Sequence, residues 1–157
     1  MLEIQIPGQE QPLRLSHLIL DYNGTIACDG HLIAGVKDRL ESLSSNIEVH
    51  ILTADTFGSV GEALHGIPCQ LSIIPREEQA QAKLSYVEQL GLDRSVCMGN
   101  GRNDRLMLKE AALGVALMQA EGAAIEAILS ADVVVTDILD ALDLLLHPLR
   151  LAATLRS

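Results

Sequence analysis

Asp21 ends an apolar run in LILDYNGTI, Thr53 ends IEVHILT, Lys83 falls within a helix-patterned stretch, and Gly99-Asn-Gly-Arg-Asn-Asp104 follows SVCM. Two carboxylates, a hydroxyl and an ammonium are groups that can hold an anion, bind a hard cation or attack an electrophile once they converge. Each has a plainer reading when taken singly. Asp and Thr at strand ends commonly cap turns or helices, a helical lysine is usually solvated, and a Gly-Asn segment is a common loop. The weight lies in the set and its order along the chain.

Convergence requires elements that end on one side. His17 to Tyr22 reads as a buried strand, and Val36, Leu40 and Leu43 follow at helical spacing before Ser44-Ser45-Asn46. The alternation continues with a strand over Ile47 to Leu52, a helix over Ser59 to His65, a strand over Cys69 to Ile74 and a helix over Arg76 to Leu90 that Gly91 ends. Ser95 to Met98, Val115 to Met118 and Asp132 to Val135 read as further strands, with helices near Ala123 to Leu129 and from Ile138 onward. Pro148 closes one terminal helix before a last short one. Leu2 to Ile6 and Leu13 to Leu15 alternate apolar and polar around Pro7-Gly8, the pattern of a small hairpin at an edge. The expected fold is therefore α/β, a three-layer α/β/α Rossmann-like arrangement with a parallel central sheet. In such sheets the ligand crevice lies beyond the carboxyl ends of the strands, where Asp21, Thr53 and Asp104 would meet and Lys83 could reach along its helix.

Composition agrees with this architecture and excludes several partners. The 157 residues suit one domain, spanning 1–157, and 48% hydrophobic with 2% aromatic residues implies a core of Leu, Ile, Val and Ala. A formal net charge of -10 disfavours nucleic acid and anionic membrane surfaces. Cys28, Cys69 and Cys97 form no C-x-x-C pair, no apolar run approaches membrane-spanning length, and a cytoplasmic protein is expected. The five histidines lack a metal-ligand spacing and read as structural or surface residues, although Cys28 and His31 could line an open site.

The ordered set resembles the haloacid dehalogenase-like (HAD) hydrolases, among them the phosphorylation domain of P-type ATPases and its soluble relatives, over nearly the whole chain. The first motif is matched by Asp21-Tyr-Asn-Gly-Thr25, the second by His50-Ile-Leu-Thr53, the third by Lys83, and the fourth by Gly99-Asn-Gly-Arg-Asn-Asp104; KEAALGVALM and ADVVVTDILDALDLL resemble the end of the ATPase domain. The resemblance implies a Mg²⁺-dependent phosphatase in which Asp21 attacks a phosphoryl group and carries it as an aspartyl-phosphate. Mg²⁺ would take oxygens from Asp21, the Asn23 backbone carbonyl, Asn100 and Asp104. Thr53, Lys83 and Asn103 would hold the phosphate, with backbone amides of Tyr22, Asn23, Gly24 and Thr25 adding an anion cradle.

The chain departs from the family pattern twice. Asn23 occupies the position of the aspartate that protonates the leaving group and activates water, so a phosphorylated Asp21 should persist. Asn100 replaces a metal-ligand aspartate, keeping an oxygen but losing a charge. The gaps from Asp21 to Thr53 and from Thr53 to Lys83 are 32 and 30 residues, filled by the sheet's own elements, so no cap domain is expected. An open site suits a phosphorylated macromolecule, or a phosphorylated small molecule enclosed by a second copy of the chain. Two rival readings are a degenerate fold that binds a phospho-ligand or protein without turnover and, disfavoured by motif order, a receiver-like phosphoacceptor.

Overall fold

A computed structural model describes residues 1–55 and 58–157. Six parallel strands form its centre: β3 (His17–Asp21), β6 (Glu48–Thr53), β7 (Gln70–Ile73), β8 (Ser95–Gly99), β9 (Leu113–Leu117) and β10 (Val133–Val135), in the spatial order β10-β9-β8-β3-β6-β7. Their buried apolar side chains explain the continuous hydrophobic runs, because a parallel sheet is covered on both faces. On one face Leu18, Leu20, Val49 and Ile51 pack with α1 (Val36–Leu43) and α6 (Ile138–Leu146). On the other, Ile19, Leu52 and Cys97 pack with Val87 of α3 (Gln79–Leu90) and with Met107 and Leu108 of α4 (Arg105–Glu110). The remaining helices are α2 (Ser59–Ala63), α5 (Ile125–Ser130) and α7 (Pro148–Leu155), with Pro148 at a helix start where its missing amide hydrogen costs nothing.

The N-terminal hairpin forms as expected from β1 (Leu2–Ile4) and β2 (Leu13–Leu15), but as its own two-stranded antiparallel sheet rather than an edge of the central one. Its Ile4 and Leu15 reach into the main core. A second small hairpin, β4 (Ala27–Cys28) with β5 (His31–Leu32), follows the Asp21 turn. Helix α3 begins at Gln79 rather than Arg76, because Glu78 adopts a left-handed φ of 51° that breaks the helical path. Among the described residues no helix is long and apolar enough to cross a membrane.

The chain order of the strands reverses between β3 and β8, which places a topological switch point beyond their carboxyl ends. Register sharpens the coincidence. Asp21 pairs with Leu52, one residue before Thr53, while Leu20 pairs with Met98, one before Gly99. Three strand ends therefore deliver Asp21, Thr53 and the Gly99–Asp104 loop to one level.

Candidate active site

A cleft of about 370 Å³ opens at this level, lined by Asp21, Asn23, Thr53, Lys83, Asn100 and Asn103 together with Ala54, Asp55, Gln79 and Gly101. The six residues named first, on three strand ends and a helix, converge as the sequence order implies. Cys28 and His31 do not line it; they sit on the β4–β5 hairpin.

Lys83 is the centre of the cluster. Its side chain is 1% exposed, and its Nζ donates to Asp21 Oδ1 at 2.7 Å and to Asp104 Oδ1 at 2.6 Å. One buried ammonium faces two carboxylates, so the group carries excess negative charge. Burial and the Asp104 carboxylate push Asp21 up to about 7 against the opposing pull of Lys83. Burial draws Lys83 down, but the two aspartates outweigh it and hold the ammonium above its usual value.

Asp104 is fully buried, and its second oxygen accepts from the backbone amides of Asn100 at 3.0 Å and Gly101 at 2.8 Å. Both oxygens of Asp104, the residue expected among the cation ligands, thus accept hydrogen bonds, one from Lys83 and the other from the Gly99–Asp104 loop. Gly99 permits this, since a Cβ there would stand 2.4 Å from the Asp104 Cγ.

The loop after Asp21 is a turn in which Gly24 N donates to Ala27 O and Thr25 N to Tyr22 O. Those two amides are engaged within the turn itself. The Tyr22 ring is buried, and its hydroxyl donates to Gly30 O at 3.0 Å. Thr25 Oγ1 lies 3.3 Å from Asp21 Oδ2 and 3.4 Å from Asn100 Oδ1, so two oxygens of ligand type meet around one hydroxyl. Gly24 has φ of 78°, and a Cβ there would meet Asn100 Nδ2 at 2.2 Å. Asn100 Nδ2 donates to Gly122 O at 3.0 Å, which fixes the amide with Oδ1 toward the Thr25 hydroxyl.

Further residues contribute that sequence reasoning did not single out. Gln79 Oε1 accepts from Asn103 Nδ2 at 2.6 Å, fixing Asn103. Its position four before Lys83, on the same helical face, was the available signal. Gln119, just past the end of β9, donates to Gly24 O and Thr25 O and accepts from Ile138 N, clamping the loop after Asp21 to α6. Asp55 N donates to Thr53 Oγ1 at 3.1 Å. Thr53 is thereby held by its own strand-end turn.

No protein-family model matches the chain. The uncharacterized protein MJ0073 of Methanocaldococcus jannaschii is 49% identical over 79 residues, which cover 48% of this chain and 85% of that protein. MJ0072 of the same organism is 54% identical over 39 residues, covering 25% of this chain and 89% of that protein. Among solved structures, the cobalt-bound deoxy-D-mannose-octulosonate 8-phosphate phosphatase of Haemophilus influenzae is similar with a TM-score of 0.71 and 12% identity, over 92% of this chain and 94% of that chain. The 3-deoxy-D-manno-octulosonate 8-phosphate phosphatase of Moraxella catarrhalis, in complex with magnesium, phosphate and its sugar acid, gives a TM-score of 0.68 at 17% identity, over 85% of this chain and 86% of that chain. A putative HAD subfamily III A hydrolase of Legionella pneumophila gives 0.69 at 20% identity, over 90% and 87% of the two chains. The protein thus belongs to the same family as MJ0073, and its fold is that of the haloacid dehalogenase-like hydrolases.

Proposed function

We propose that the protein is a divalent-cation-dependent phosphohydrolase that works through an aspartyl-phosphate on Asp21, slowed because Asn23 stands where an acid-base carboxylate is usual. The observation that carries this is Asp21 at the switch point, 2.7 Å from a buried Lys83, in the cleft that Thr53 and Asn100 also line. Asp21 attacks phosphorus and the leaving oxygen departs with the bonding pair. Lys83, Thr53 and Asn103 hold the phosphoryl oxygens, as an ammonium, a hydroxyl and an amide can. Asn23 supplies no proton to the leaving group and removes none from water, so that proton comes from solvent and the second half-reaction limits turnover.

The excess negative charge and the oxygens meeting at Thr25 fit a hard divalent cation, and the compared phosphatases hold magnesium and cobalt. Asp21, the Asn23 carbonyl and Asn100 would hold it, with Asp104 behind them; bound there, it would neutralise charge on the phosphoryl group. The substrate class is a phosphomonoester, small or carried on a macromolecule.

Hydrolysis of p-nitrophenyl phosphate in millimolar Mg²⁺ tests this with three proteins: the wild type, Asp21→Asn, and Asn23→Asp with Asn100→Asp. Turnover that Asp21→Asn abolishes and the double variant raises supports the reading. Activity that survives Asp21→Asn sinks it. A second reading, a binder of phospho-ligands without turnover, is favoured by Asn100 serving as a structural tie to Gly122. Phosphate binding by an inert wild type and an equally inert double variant would select it.

A further inference from the structure

At the opposite, amino-terminal end of the sheet, β3 and β6 bring His17 and Glu48 into register as direct partners, with His50 two residues on along the same face. His17 Nδ1 lies 3.2 Å from His50 Nε2 and 3.4 Å from Glu48 Oε2, and His50 Nε2 is 3.7 Å from the same carboxylate oxygen. Four residues along a strand separate His17 from Asp21, about 13 Å, so this cluster is not part of the cleft.

We propose that His17, Glu48 and His50 form a second metal site, which takes a borderline transition ion of the zinc class. Donor atoms about 2.0 to 2.2 Å from one tetrahedral ion lie about 3.3 to 3.6 Å apart, and the three separations here bracket that range. Two imidazoles and one carboxylate suit zinc or cobalt better than magnesium, which prefers oxygen donors. The outer partners are in place as well. His50 Nδ1 lies 3.0 Å from the Tyr86 hydroxyl, which also accepts from Ser72 Oγ at 3.3 Å. An N–H at Nδ1 donating to Tyr86 leaves a lone pair on Nε2, aimed at the centre of the cluster. The hydrogen between the two rings then belongs to His17 Nδ1, and loading moves His17 to its other tautomer.

His17 and His50 are both buried, while the carboxylate that completes the set reaches the surface. Glu48 is 64% exposed, which leaves an entry path and a fourth position for water. Bound there, the ion would clip together the starts of two adjacent strands and stabilise the fold by mass action.

Equilibrium dialysis of the intact chain against micromolar Zn²⁺, in millimolar Mg²⁺ so that the cleft around Asp21 is saturated, tests the assignment, with the visible spectrum of the Co²⁺ form reporting geometry. One Zn²⁺ per chain is expected, retained in Asp21→Asn, with a tetrahedral-type Co²⁺ band and a rise in Tm. Glu48→Gln, an exposed change compatible with folding, should weaken Zn²⁺ by at least about tenfold, and His17→Asn by more. Absence of Zn²⁺ binding in the wild type would overturn the assignment. So would Zn²⁺ binding that Glu48→Gln and His17→Asn leave intact, and binding that disappears in Asp21→Asn would place the ion in the cleft instead.

Discussion

With one ammonium between two carboxylates, Asp21 is the residue on which pH acts. Its pKa is raised from 3.8 to about 7, chiefly by burial and then by Asp104. The folded state therefore holds a proton that the unfolded chain releases as pH rises above about 4. For a raised carboxylate the sign is unfavourable: stability is fullest below the unfolded pKa and falls as pH climbs through the window from 3.8 to about 7. Asp21→Asn keeps an oxygen for Lys83 and removes the titration. In chelator it should be more stable than wild type at pH 8, by on the order of 2 to 4 kcal/mol, with the difference shrinking toward pH 4. Urea unfolding at the two pH values checks this, and a less stable variant at pH 8 would refute it. Asn100 carries a different balance. Asn100→Asp trades the donor to Gly122 O, at 3.0 Å, for a carboxylate oxygen facing a carbonyl. That should cost about 1 to 3 kcal/mol without metal, while enlarging the rise in Tm on adding Mg²⁺. An equal Mg²⁺ response in both proteins would show that position 100 is not a ligand.

At the level of elements, the site exists because β3, β6 and β8 end together and two glycines let loops approach. Gly24→Ala places a methyl 2.2 Å from Asn100 Nδ2 at a φ of 78°, so the Asp21 turn and the Asn100 loop must separate. A loss of roughly 1 to 3 kcal/mol is expected, with phosphatase activity falling further than stability at a temperature where the variant is folded. Thermal unfolding beside initial rates distinguishes the two. These elements differ in how legible they were. Buried strands such as His17–Asp21 announce themselves as apolar runs, and polar residues at their ends named Asp21 and Thr53. The β4–β5 hairpin left no periodic trace, since two-residue strands cannot show one. Asp104 was found, but the direction of its carboxylate depends on a 3-10 turn over Arg102–Asp104 that brings it back onto two amides. Gln119 was invisible because a polar residue past a strand is ordinary until the loop it clamps is known. His17 and His50 lie 33 residues apart and meet only through the register of β3 on β6. Composition and spacing carry no register.

The whole molecule decides what can reach Asp21. Among the described residues, the gaps where a cap domain could be inserted hold α1, α2, β7 and the small β4–β5 hairpin, so the described chain supplies walls to the cleft but no lid. Beside it, past Gly24, a second depression of about 410 Å³ runs under the β4–β5 hairpin, lined by Cys28, Ile33, Met118 and Glu121. A leaving group would lie across this open ground without being enclosed, and the protein would bind mainly the phosphoryl end that all phosphomonoesters share. Discrimination by leaving-group bulk should then be weak, because selectivity requires contacts or clashes that an uncapped surface does not provide. Values of kcat/KM for a small phosphomonoester and for the same ester on a peptide of ten residues should agree within about tenfold. Acidic peptides are the exception to avoid in the comparison, since the chain's net charge of -10 would repel them and mimic a steric effect. Rejection of a neutral phosphopeptide by more than about a hundredfold would mean that the cleft is closed in solution. A second copy closing it should then be sought, by activity against dilution, at Ile125 and Leu129 of α5, exposed at 64% and 79% on the helix that packs against the Arg102–Asp104 turn.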